Sequence, residues 1–349
     1  MTMKTPDAPD SPGELPAAVP NPARMMQMLS GFQVSQALYV VAKLGIATAL
    51  LDGPRSIEQL ATATRADGGA LRRLVRFLAT VGLFHQLDED TVEITELGAT
   101  LAEGHSDSVC AAALYWMETH YGPFGDFLYS ARTGNIAATR YYGMPFFDWI
   151  SADPEKVEIQ SRAMANATAS LRTGMFDSYQ LPAGETVADI GGSDGALLSR
   201  LLVEEPNRRG IVFDRPEVVP AARTVLAANG LAARIEVTAG DFFDSVPRAD
   251  VYIFSAILCD WDDAQCTRIL RTIAKAASPA ARLVLVETMI PPGDTPHFAK
   301  AMDLVMLVMF GGRERTAAEF EALLATAGFS LERTVPSPTP FSFIEASLR

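Results

Sequence analysis

Positive charge, cysteine and histidine are all scarce in this 349-residue chain. Its 29 Lys and Arg stand against 42 Asp and Glu, a formal net charge of −13, whereas nucleic acid and anionic membranes both demand a basic face. Neither partner is expected. Cys110, Cys259 and Cys266 form neither a disulfide framework nor a zinc site, so they read as reduced thiols of a cytoplasmic protein without a metal centre. No apolar run reaches the length of about eighteen residues that a membrane span needs, and no basic-then-apolar signal opens the chain. What is plentiful is core material: 48 % hydrophobic against 20 % charged residues, at a length that suits two domains.

Residues 1–22, rich in Pro, Asp and Ala, read as a disordered leader. In the region 23–110, the stretch MMQMLSGFQVSQALYVVAKLGIATALL has a helical pattern almost too apolar to face solvent, which suits either the core or a dimer interface. Ser56 and Gln59 have capping-box spacing and start a short helix ending near Thr64; Leu71, Leu74, Val75 and Leu78 then repeat at helical intervals. Strand-like stretches Leu83–Leu87 and Thr91–Thr95 flank the acidic turn Asp88-Glu89-Asp90. Helix, helix, hairpin is a winged-helix pattern, but four Arg against seven acids over Ser56–Thr100 favour a structural role over DNA binding. Residues 111–180 read as a helical linker with an aromatic and methionine-rich middle. Trp116, His120, Tyr121, Phe124, Met144, Phe147 and Met164 there suit either core or the wall of an apolar pocket for a ring-shaped substrate.

Over 181–349 strands and helices alternate, which predicts an α/β, Rossmann-like domain with a parallel sheet covered on both faces. Strands are expected at Thr186–Ile190, Arg209–Phe213, Ile235–Thr238, Val251–Ser255 and Arg282–Glu287, with Ser330–Val335 and Phe341–Ser347 as a closing pair. The segment VADIGGSDG ends the first strand and opens a helix. Gly191, Gly192 and Gly195, with Ser193 between them, let the backbone turn tightly and approach a ligand at the helix N-terminus. Dinucleotide enzymes also use such loops, but no Lys or Arg lies in this one to hold a phosphate. Asp189, just before the glycines, would repel a pyrophosphate and suits a cationic sulfonium. Asp214, followed by Arg215, closes the second strand at the distance where a carboxylate accepts ribose hydroxyls. After the third strand come Gly240, Asp241, Phe242 and Phe243, where Asp241 could bond an adenine amino group and Phe242 cover the ring. With Ser255 at the end of the fourth strand, these residues point to S-adenosylmethionine (SAM), leaving as S-adenosylhomocysteine.

Together with GFQVSQALYVVAKLGIATALLDGP, YYGMPFFDWISADPE, FDRPEVV, GDFF, DWDD and GGRERTAAEFEALLATAGF, this loop resembles the plant and bacterial small-molecule O-methyltransferases, from about Met25 to the C-terminus. The resemblance implies a winged-helix dimerisation domain that forms a homodimer, a SAM-binding catalytic domain, and a small aromatic or polyketide-type acceptor. It implies a general-base histidine before an Asp-Trp pair, but here Cys259 precedes Asp260. The two acids that orient that base match Glu287 and Glu314. A thiol with a reference pKa of about 8.5 beside carboxylates is a poor base. Three explanations follow: methylation by alignment alone, another base among Asp260, Glu287 and His120, or a scaffold that has left methylation for hydroxylase or pericyclase chemistry. Oxygen, nitrogen and carbon acceptors all stay open. The resemblance also sets Met302, Asp303 and Met306 of the stretch MDLVMLVMF against the acceptor.

Overall fold

The computed structural model describes residues 20–349 apart from Thr173, Ser178 and Glu204, so most of the expected leader lies outside the described residues. Its last part does not: Asn21 and Pro22 already belong to the helix Asn21–Leu29, with proline in the first turn, where no N–H is needed. The chain divides into two compact units, residues 1–102 and 103–349.

In the first unit the long apolar pattern does not make one helix. Asn21–Leu29, Gly31–Lys43 and Ile46–Ala49 are separate, broken at Ser30 and at Gly45, whose φ of 67° is left-handed. Met25, Met26, Met28, Leu29 and Phe32 are all exposed in the single chain. The Ser56–Gln59 capping box is formed and starts the helix Ile57–Thr64. The helix Gly68–Ala79 follows and buries Leu71, Val75 and Leu78. Strands β1 (Arg55–Ser56), β2 (Phe84–Gln86) and β3 (Thr91–Ile94) make an antiparallel sheet with β3 in the middle. Asp88 closes the turn by accepting from the backbone N–H groups of Asp90 and Thr91.

The second unit is built on a seven-stranded sheet. Its strands are β4 (Thr186–Ile190), β5 (Arg209–Asp214), β6 (Ile235–Ala239), β7 (Val251–Ser255), β8 (Arg282–Thr288), β9 (Phe329–Pro336) and β10 (Phe341–Leu348), in the order β6-β5-β4-β7-β8-β10-β9. The first five are parallel, and β10 runs antiparallel between β8 and β9. Both faces are covered, which explains the continuous apolar runs. Val251 and Ile253 pack with Leu198 and Leu226 on one face, while Tyr252 and Phe254 pack with Ile269 and Phe320 on the other. After β4 the chain goes to one side and after β6 to the other, so a crevice opens at the C-terminal ends of β4, β5 and β7. Among the described residues, no helix is long and apolar enough to cross a membrane.

Candidate active site

The glycine loop sits at that crevice. Gly191 and Gly192 donate their N–H groups to the Phe213 carbonyl, and Gly195 turns back onto the Gly192 carbonyl. Gly191 and Gly195 have φ of 74° and 75°, which glycine adopts freely; Ser193 does so at 51° without that freedom. Ser193 holds this position because its N–H donates to Asp214 Oδ2 at 2.8 Å, while Oδ1 accepts from Arg215 N–H at 2.7 Å. Asp214 therefore pins the loop and keeps further lone pairs for a ligand. Gly192 makes room for Asp189, whose Cγ would lie 2.9 Å from any added Cβ. Asp189 is buried, and its Oδ2 has no hydrogen-bond partner. Burial pushes its carboxyl up to about 7 against the pull of Arg172. Asp241 Oδ1 accepts from Phe243 N–H at 2.8 Å, which turns the chain after Gly240. Phe242 and Phe243 both lie edge-on to Trp261.

Across the crevice lies an acidic shelf. Leu258–Asp260 form a single 3₁₀ turn, and Cys259 is buried in it with Sγ 3.9 Å from Asp260 Oδ1. Glu287 Oε1, at the end of β8, accepts from the N–H groups of Ile257 and Leu258. Glu314 accepts from the Thr288 hydroxyl at 2.6 Å, and its own N–H donates to Asp303 Oδ1. Burial raises Asp260 and Glu287 to about 7 and Glu314 to about 8, each acid adding to the cost of ionising another. Burial and Glu287 push the Cys259 thiol well above its ordinary value, so it stays protonated. Among the described residues no group of His, Cys, Asp and Glu could hold a metal ion.

These carboxyls tie stability to pH. With folded values above the unfolded value of about 4, Asp189, Asp260, Glu287 and Glu314 bind more protons in the native chain than in the unfolded one. Their contribution is held at the acid side and lost as pH rises toward 8. His120 works oppositely: burial lowers it to about 4, so its contribution is lost as pH falls below its unfolded value of about 6.5. The four raised carboxyls outweigh the one lowered imidazole from about pH 4 upward, so the thermal midpoint of the cofactor-free protein is expected to fall by several degrees between pH 5 and pH 8.5, measured by scanning calorimetry. A midpoint that is flat or rising over that range would contradict the protonated shelf.

The third wall is aromatic. His120 lies edge-on to Tyr115, Phe146 and Phe310, with ring centroids 4.9, 5.5 and 6.2 Å away, and Phe147 stacks on Phe310. Both His120 and Phe310 end π-helical turns, Trp116–His120 and Met306–Phe310. Around the second turn Met309 is in the core, Met306 is buried and Met302 is half-buried. Phe124 packs beside Phe127 at this cluster. Trp116, Tyr121, Met144 and Met164 are exposed instead.

The sequence comparisons fit this geometry. The O-methyltransferase domain family matches residues 125–330, and the O-methyltransferase dimerisation domain matches 26–104. The chain belongs to the O-methyltransferase family. Phenazine O-methyltransferase from Lysobacter antibioticus is 40 % identical over 94 % of this chain and 97 % of the relative. Mitomycin biosynthesis 6-O-methyltransferase from Streptomyces lavendulae is 35 % identical over 96 % of each. The crystal structure of human N-acetylserotonin methyltransferase with SAM matches with a TM-score of 0.86 at 25 % identity, covering 96 % of this chain and 99 % of that one. Aclacinomycin 10-hydroxylase from Streptomyces purpurascens is also similar, 32 % identical over 91 % of this chain and 88 % of the relative. This O-methyltransferase is thus a SAM-dependent enzyme of the kind that tailors secondary metabolites, and its dimerisation domain supports a homodimer.

Three residues of the site carry no sequence signal. Arg172 donates to Ser255 Oγ at 2.7 Å, lies over the Phe341 ring, and is close enough to Asp189 and Glu287 for their charges to support its own. Ala256 is held at a φ of 53°, a left-handed strain beside the shelf. Arg315 is 1 % exposed and donates to the carbonyls of Leu258, Trp261 and Arg313 and to Asp263 Oδ1. It clamps the turn that carries Cys259 and Asp260 from below.

Proposed function

We propose that the enzyme transfers the sulfonium methyl of SAM to a hydroxyl of a small aromatic or polyketide-type metabolite, with alignment supplying most of the catalysis. The observation that carries this reading is the shelf around Cys259, which holds a neutral thiol where a base is expected. When bound, SAM supplies an electrophilic methyl group. The residues present fit it. The buried, unpartnered Asp189 Oδ2 suits a cationic group, Arg172 suits a carboxylate, and the free lone pairs of Asp214 suit ribose hydroxyls. Gly191, Gly192, Gly195 and Gly240 let the loops pack closely on Ile257, Asp189, Val212 and Phe213, Asp241 and Phe242 would meet the adenine, and Phe243 would brace Phe242.

An in-line displacement would need the acceptor oxygen, methyl carbon and sulfur aligned, and holding three atoms in that geometry is worth several powers of ten. A protonated Cys259 neither removes the hydroxyl proton nor competes for the methyl group. An acceptor whose hydroxyl ionises near neutral pH, such as a hydroxyl conjugated to a quinone carbonyl, needs no stronger base. A second reading, a SAM-binding enzyme that does not methylate, draws on the same cysteine and on the hydroxylase relative. Incubation with methyl-labelled SAM and a panel of phenols, naphthoates and quinones separates them. A labelled product is expected, and silence across the panel with SAM binding intact would favour the second reading. Asp214→Ala should weaken SAM binding about 10- to 100-fold by calorimetry, through loss of charge-assisted hydrogen bonds and of the loop anchor.

A further inference from the structure

His120 has an unused hydrogen-bonding atom, and its neighbours say which one. The Thr119 hydroxyl donates its only hydrogen to the Tyr115 carbonyl at 2.6 Å. The same oxygen lies 2.7 Å from His120 Nδ1, so it must accept there. Nδ1 therefore carries the ring proton, and Nε2 presents a bare lone pair. The arrangement is built in. Pro123 has no N–H to offer the Thr119 carbonyl one helical turn back, and the Tyr142 hydroxyl donates to it instead. His120 is only 7 % exposed among Tyr115, Phe146 and Phe310, and among the described residues its one hydrogen-bond partner is Thr119. Phe310 leads through Gly311 to Gly312, which packs on the Cys259 and Asp260 backbone. The lone pair thus belongs to the wall that continues into the acidic shelf.

We propose that His120 is a specificity-determining residue whose Nε2 accepts a hydrogen bond from an O–H or N–H on the aromatic acceptor. The enzyme therefore selects acceptors that carry a donor besides the hydroxyl to be methylated. This rests on the reading of the site as a pocket for an aromatic methyl acceptor. The selectivity comes mainly from rejection, because an acceptor without that donor leaves a desolvated nitrogen unpaired. Discrimination of about 10- to 100-fold follows from the cost of that unpaired atom.

The test is calorimetric binding to the complex with S-adenosylhomocysteine, so it does not require turnover. The probes are 1,5-, 1,6-, 2,6- and 2,7-dihydroxynaphthalene, each against the naphthol lacking one hydroxyl. At least one diol should bind about tenfold or more tightly than its naphthol. His120→Leu should erase that preference without weakening the naphthol, and His120→Gln, which keeps an acceptor oxygen, should retain part of it. Equal affinity for every pair in the unsubstituted enzyme, binding of none included, would overturn the proposal, as would a preference that survives in His120→Leu. Nitrogen NMR of the unliganded enzyme gives a readout independent of folding differences: His120 should show a protonated Nδ1 and a pyridine-type Nε2, and the opposite tautomer would overturn the assignment. Methyl transfer without the preference counts against His120 alone. The preference without methyl transfer counts against the proposed reaction alone.

Discussion

Replacing Cys259 with histidine is expected to raise kcat on phenolic acceptors by about 10²-fold or more. The surroundings are already those of a base: Glu287 and Glu314 flank the position, and Asp260 adjoins it. An imidazole there would draw these acids toward ionisation, and they in turn would stabilise the imidazolium formed as the hydroxyl proton leaves. The gain should grow with acceptor pKa and vanish for acceptors already ionised. In the unsubstituted enzyme the rate should track ionisation of the acceptor; in Cys259→His it should level off near the histidine pKa. Label transfer from SAM between pH 6 and 9 reads both. A folded, SAM-binding variant with no gain would mean that the pocket is rebuilt for another task.

Gly312→Ala should produce the largest loss. An added Cβ would lie 2.0 Å from the Cys259 carbonyl oxygen, 2.4 Å from the Asp260 carbonyl carbon and 2.7 Å from the Trp261 nitrogen. All three are backbone atoms, so no side chain can swing aside. The two segments cannot part cheaply either, because Arg313 N–H donates to the Cys259 carbonyl at 2.8 Å and Arg315 binds the carbonyls of Leu258 and Trp261. Either the turn shifts and catalysis falls by at least about 100-fold, or the protein loses about 3 kcal/mol or more of stability. Denaturant melts beside label-transfer rates would show which. Activity and stability near those of the unsubstituted enzyme would contradict the packing.

The parts legible in the sequence are those whose signal is local. The Ser56–Gln59 capping box, the strand runs of β4 to β8 and the closing pair near the C-terminus follow from spacing and from burial on both faces. The glycine loop and Asp214 were legible because a tight turn and a carboxylate at a strand end have few other uses. The breaks at Ser30 and Gly45 were not, since periodicity continues through both. Composition marked an aromatic region without saying which rings turn inward, so Trp116 and Tyr121 could not be told from Phe147. Arg172 and Arg315 looked like ordinary surface arginines, because their partners lie far away along the chain.

The order of the sheet has a consequence for how the chain is made. β10 is interior, hydrogen-bonded to β8 on one side and β9 on the other, yet it is encoded after both. A ribosome delivers residues 1 to 340 with a gap where that strand belongs, and two unpaired strand edges wait for residues 341–348. The crevice beside β4 can begin to form early, but the sheet beneath it closes only when this segment emerges. Truncation within those eight residues should therefore leave open edges prone to aggregation rather than a slightly shortened enzyme.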